Sequence, residues 1–111
     1  MWVRRKVQSG TKTGQKIGYP TLNFRAGDFS QSSGVYACEI LIADKLYKGA
    51  LYFGPRLNHP GNVLEVYVIG FKQKIYGHFV RFRVGKKIRS PKCFNSLDEL
   101  KKQIQKDLQS V

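Results

Sequence analysis

Residues 35 to 53 read VYACEILI, then Ala43-Asp44, then KLYKGALYF. Both runs are rich in β-branched and aromatic side chains and only two residues separate them, which predicts an antiparallel hairpin. A chain with such a hairpin at its centre builds on an antiparallel sheet. Val63 to Phe71, VLEVYVIGF, reads as a third strand. Phe79 to Val84, FVRFRV, alternates apolar and basic residues and should be half-exposed, with Gly85-Lys86-Lys87 turning into another short strand. Trp2 to Val7 and Thr21 to Phe24 supply two more.

The C-terminus has a different period. Ser96-Leu97-Asp98-Glu99 fits a capping box, and Leu97, Leu100, Ile104 and Leu108 form one apolar stripe at helical spacing. Short strands with Gly and Pro between them, followed by one helix, predict a mostly β fold: a small antiparallel β-barrel with the helix packed against it. Closure also removes the exposed edges of so short a sheet. At 111 residues, with 41% hydrophobic content, no linker and no repeat, residues 1–111 are expected to form a single domain.

No charge-free apolar run is long enough to span a bilayer, and the charged start Arg4-Arg5-Lys6 leads to no apolar signal region, so the expected location is cytoplasmic, away from membranes. Cys38 and Cys93 lack CxxC spacing and nearby His, which argues against zinc; Cys38, in a strand pattern, reads as a small core residue. The formal net charge is +13, and between Asp44 and Asp98 the only carboxylate is Glu65. That excess suggests an anionic partner, for which nucleic acid, a membrane surface and a nucleotide all qualify, although a solvated basic surface accounts for much of it.

Four stretches could carry chemistry. Gly10-Thr11-Lys12-Thr13-Gly14-Gln15-Lys16-Ile17-Gly18 spaces three glycines in a basic segment. Glycine lets backbone N–H groups approach phosphate, yet the segment is not a Walker A loop, and such loops are more often simple hairpins. Pro20 stiffens the chain and favours an extended Tyr19, so Thr21 and Asn23 share one side, and their oxygens are the hard donors Mg²⁺ accepts. Taken alone, Asn23 as turn former and Thr21 as strand residue is the simpler reading. Glu65 lies mid-strand, on one face with Val63, Tyr67 and Ile69; a general base on an apolar flank and a solvent-facing carboxylate paired with lysine stand about even. Arg89, Lys92 and Phe94 set two cations beside an aromatic face, which suits an anionic or flat conjugated ligand.

In order along the chain, Gly18-Tyr19-Pro20-Thr21-Leu22-Asn23, Gly34-Val35-Tyr36, Leu64-Glu65-Val66, Ile75-Tyr76-Gly77, Ile88-Arg89 with Lys92 and Phe94, and a Ser-x-x-Glu-Leu helix ending in Gln103-Ile104 and Asp107 resemble the riboflavin kinase domain, found alone or at the C-terminus of bifunctional FAD synthetases. The resemblance implies a six-stranded antiparallel Greek-key barrel with a C-terminal helix, transferring the γ-phosphate of ATP to the ribityl 5′-hydroxyl of riboflavin to give FMN. It implies Thr21 and Asn23 as holders of Mg²⁺ and phosphate, with Gly10, Gly14, Lys16, Val68 and Tyr76 in the ATP site. It implies Glu65 as catalytic base, and Arg89, Lys92 and Phe94 as flavin contacts. The chain departs from the family pattern at Gln15, Tyr67, Gly70 and Pro91, and in a shorter segment 54–61. The partners expected are riboflavin and MgATP, with the chain a monomer. The competing readings are a basic barrel that binds single-stranded nucleic acid, disfavoured because the aromatics sit mainly in apolar patterns, and a flavin-binding relative without turnover.

Overall fold

A computed structural model of the chain describes residues 2–9, 18–56 and 59–111. Six antiparallel strands, β1 (Val3–Lys6), β2 (Leu22–Phe24), β3 (Gly34–Ile42), β4 (Lys45–Pro55), β5 (Asn62–Val68) and β6 (Phe79–Arg89), precede one helix, α1 (Leu97–Leu108). The strand order is β1-β6-β3-β4-β5-β2. Just beyond β1 the Gln8 N–H donates to the Asn23 carbonyl at 2.7 Å, so the two ends of that order meet and the sheet curls into a nearly closed Greek-key barrel. Inward side chains fill it, with Ile40, Leu51, Val66 and Phe82 wholly excluded from solvent.

Two strand boundaries differ from the sequence expectation. β5 stops at Val68, and the chain turns at Ile69-Gly70, where Gly70 takes φ +81°, a conformation cheap only for glycine. β6 runs unbroken from Phe79 to Arg89 instead of turning at Gly85-Lys86-Lys87. Its pairing with β3 slips in register at Val35/Tyr36 and again between Tyr36 and Cys38, and these bulges bend the strand round the barrel without ending it. The lysines that suggested a turn lie in this bent region.

The central hairpin turns through Ala43 (φ +49°) and Asp44 (φ +66°), both left-handed as a two-residue type I′ turn requires. Alanine disfavours that region and aspartate only tolerates it. Replacing the pair by Asn-Gly is expected to raise the unfolding free energy by about 1 kcal/mol, read as a higher urea midpoint at unchanged slope. A lower midpoint would show that the present side chains contribute contacts that outweigh their backbone strain.

The helix begins as the capping pattern predicts: the Glu99 N–H donates to Ser96 Oγ at 3.2 Å. The return bond reaches one residue further back, from the Asn95 N–H to Glu99 Oε2 at 2.9 Å. The apolar stripe is only partly used, since Leu97 remains 50% exposed while Asp107 is the buried residue of the helix.

Candidate functional site

Alternate residues of a strand face opposite sides of a sheet, so the outward side chains of the barrel form rows. One row, Arg89–Val35–Tyr52–Glu65–Asn23, crosses five neighbouring strands, β6, β3, β4, β5 and β2. Gly34 permits its start: a Cβ there would lie 2.5 Å from the Arg89 carbonyl oxygen. Helix α1 covers this end of the wall with Leu100 and Ile104. Between helix and wall lies a cleft with about 690 Å³ of open space, lined also by Tyr19, Thr21, Tyr67, Lys92 and Phe94. A second cleft of the same size is lined by Pro20, Thr21, Asn23, Val68, Phe71, Lys72, Lys74 and Tyr76. Thr21 lines both.

Glu65 stands where the clefts adjoin. It is 5% exposed although it faces outward: Arg56, just after β4, pairs with its carboxylate, and Leu100 and Ile104 of α1 line the same cleft. Val63 and Tyr67 share its face as expected; Ile69 does not, since it belongs to the turn after β5 and is 41% exposed. The carboxylate is paired with one half-buried arginine, Arg56, and not with a surface lysine. Arg56 Nη2 donates to Oε1, and the Arg56 guanidinium also lies 4.3 Å from the Tyr52 ring centroid. Thr21 Oγ1 approaches Oε2 at 3.5 Å, a weak bond that leaves this oxygen accessible to a stronger partner. Tyr52 donates its hydroxyl to the Pro55 carbonyl at 2.6 Å, which fixes the strand end that carries Arg56; burial pushes its phenol above the usual range, opposed by the Arg56 charge.

Arg89 is engaged across the cleft by the helix. Its Nε donates to Asp107 Oδ1 and Oδ2 at 3.0 and 3.1 Å, its Nη2 donates to Oδ2 at 3.0 Å, and Gln103 adds a bond to Oδ1 at 2.9 Å. Asp107 is 4% exposed. This planar, bidentate pair ties α1 to the end of β6. Phe94 completes the corner, with the Arg89 and Lys92 cations 5.8 and 6.0 Å from its ring centroid.

The residues predicted from sequence therefore fall into two groups. Glu65, Arg89, Lys92 and Phe94 line the first cleft; Asn23, Val68 and Tyr76 line the second; Thr21 belongs to both. Gly10, Gly14 and Lys16 lie outside the described residues, as does Gln15. Sequence reasoning singled out neither Arg56 nor Tyr52. A signal existed for Arg56, because a carboxylate buried in mid-strand requires a cation, and Arg56 is the arginine nearest to it across the β4–β5 connection. Asn23 Nδ2 donates to the Thr21 carbonyl at 3.2 Å, which leaves its amide oxygen as an acceptor on the cleft that Thr21 also lines. Hard oxygens in that number suit Mg²⁺ that takes the rest of its shell from phosphate and water. Among the described residues no group of three or more His, Cys, Asp or Glu could form a cage of protein ligands alone.

The cysteines stand apart from this chemistry. Cys38 is buried in the core, and burial pushes its thiol up to about 12, while Cys93 is exposed. Iodoacetamide at pH 8 should therefore label Cys93 and spare Cys38 in the native protein, as intact-mass analysis would show. Double labelling without denaturant would mean that the barrel opens readily.

The flavokinase (riboflavin kinase) family profile matches residues 1–111. The bifunctional riboflavin kinase/FMN adenylyltransferase of Haemophilus influenzae is 37% identical over 110 residues, 96% of this chain and 36% of its own length. The RNA-binding riboflavin kinase RibR of Bacillus subtilis is 32% identical over 108 residues, 95% of this chain and 47% of its own. The crystal structure of a macrolide-efflux protein from Streptococcus pneumoniae superposes with a TM-score of 0.86 at 30% identity, over 97% of this chain and 37% of that one. The chain thus spans between a third and a half of the length of these relatives, and no helix among its described residues is long and apolar enough to cross a membrane. With the profile matched from end to end on a barrel whose outer row carries Asn23, Glu65 and Arg89, this chain belongs to the riboflavin kinase family.

Proposed function

We propose that residues 1–111 form one catalytic unit that transfers the γ-phosphate of MgATP to the ribityl 5′-hydroxyl of riboflavin, giving FMN and ADP in the cytoplasm. The observation that carries this reading is the meeting of two clefts at Thr21, whose hydroxyl approaches Glu65 in the first of them. The aromatic cleft under α1 suits the flavin, with Tyr19, Tyr67 and Phe94 offering ring contacts. The other, with Lys72 and Lys74 on its rim, suits the nucleotide.

The chemistry follows from the placement of one carboxylate. Arg56 holds Glu65 through Oε1, which orients Oε2 toward the junction. There Oε2 accepts the proton of the 5′-hydroxyl as that oxygen attacks the γ-phosphorus. The new O–P bond forms while the bond from the γ-phosphorus to the β,γ-bridging oxygen breaks, and ADP leaves with that electron pair. Thr21 and Asn23 would hold Mg²⁺, whose charge offsets that of the transferring phosphates. Positioning supplies most of the rest.

Incubation with riboflavin and MgATP, followed by chromatography of the flavins, should yield FMN and ADP in equal amounts, and a chelator should stop the reaction. Absence of FMN would reject the assignment. Thr21→Ala is expected to weaken MgADP binding about tenfold and riboflavin binding less, by calorimetry; the reverse ranking would remove Thr21 from the metal and phosphate site.

A further inference from the structure

The rows on the barrel's outer wall continue past the cleft toward the central hairpin, where their character changes. Two steps beyond Ala37 on β3 the outward row is Arg83–Glu39–Lys48, and the next is Arg4–Arg81–Leu41–Leu46. The second of these lies six residues along β3 from the row of Glu65, roughly 20 Å at about 3.3 Å per residue. Lys6 faces Phe79 on the same wall.

Arg4 and Arg81 sit directly opposite one another on β1 and β6 and are both exposed. Neither has a carboxylate partner among the described residues. Like charges in that position repel, so an anion bound between them would turn a destabilising pair into a stabilising one. Glu39, the only carboxylate of these rows, is taken by Arg83. Large apolar rings are interleaved with the cations: Phe79 is 52% exposed with the Arg4 guanidinium 3.8 Å from its centroid, and Trp2 is 38% exposed with the Arg83 guanidinium at 4.9 Å. Guanidinium planes laid against aromatic rings present flat, cationic faces on which a base can stack.

We infer that this wall binds single-stranded nucleic acid, with Arg4, Lys6 and Arg81 taking phosphates and Phe79, Trp2 and the guanidinium planes taking bases. Charge alone would admit a membrane surface or an acidic protein, but the alternation of rings and arginines matches a ligand that itself alternates flat bases with anionic phosphates. A flexible single strand follows a convex barrel wall, which a stiff duplex does not. The inference is independent of phosphotransfer, since none of these residues lines either cleft.

The chain has a single tryptophan, Trp2, so the wall carries its own probe. Titration of the full chain with a 20-nucleotide single-stranded RNA should quench Trp2 emission, with log K falling against log salt at a slope of about −2, as expected for some three phosphate contacts. Arg4→Gln with Arg81→Gln should weaken binding at least tenfold and flatten the slope by about 1.4, with FMN formation unchanged and a melting temperature no lower than that of the wild type. Phe79→Ala should weaken the single strand more than a duplex of equal length. Unaltered binding by the double variant, a duplex bound as tightly as the single strand, or polyglutamate or anionic vesicles displacing the RNA at equal charge would each overturn the proposal, as would absence of quenching at low salt.

Discussion

Glu65→Gln is expected to lower the rate of FMN formation by roughly 10²- to 10⁴-fold, the usual range for loss of a general base, while riboflavin and MgADP still bind. The side chains are nearly equal in size, so the cleft keeps its shape, but the amide cannot take the proton of the attacking hydroxyl. Single-turnover measurement of FMN separates this effect from binding, and riboflavin fluorescence provides the affinity. The Arg56 pair makes the result sharper: Oε1 is occupied by Arg56, and only Oε2 is turned toward Thr21, so one atom carries the role. Rates within a few-fold of wild type would show that proton removal is not assisted by Glu65.

Asp107→Ala should produce the largest loss of stability. The substitution leaves the Arg89 guanidinium without its two carboxylate acceptors in a site where the arginine side chain is only 19% exposed. Removing one partner of such a pair costs about 3 kcal/mol, and for a chain of this size that lowers the melting temperature on the order of 10 °C. Because α1 walls the first cleft and not the second, riboflavin affinity should fall more than MgADP affinity. A loss below about 1 kcal/mol would mean that the pair behaves as a solvated surface bridge, and an equal loss for both ligands would mean that the helix supports the whole barrel instead of one cleft.

Local patterns read correctly because their physics is local. The hairpin at Ala43-Asp44, the cap at Ser96 and the inward alternation of Cys38, Ile40 and Ile42 each depend on residues within a few positions of one another. The continuity of β6 was not legible, because Gly85-Lys86-Lys87 has the composition of a turn, and what keeps it in the sheet is pairing with β3, nearly fifty residues away. The end of β5 was misread for a related reason: Ile69 has the side chain of a strand residue, and only the backbone at Gly70 shows the turn.

The sequence by itself determined the residue types available for the proposed phosphotransfer, their order, and the barrel-and-helix class. Only the tertiary structure decided what state those residues are in. Glu65 could equally have faced water; the register Tyr52↔Glu65↔Asn23 and the placement of Arg56 just after β4 leave it buried and paired. Arg89 could have pointed freely at a ligand, and the packing of α1 instead joins it to Asp107. In the same way the surplus of positive charge, a bare sum in the sequence, becomes a pattern only when β1 is laid beside β6 and Arg4 meets Arg81. Charge and polarity act over a few ångströms, and in this barrel those distances are set by strand register between residues far apart in the chain.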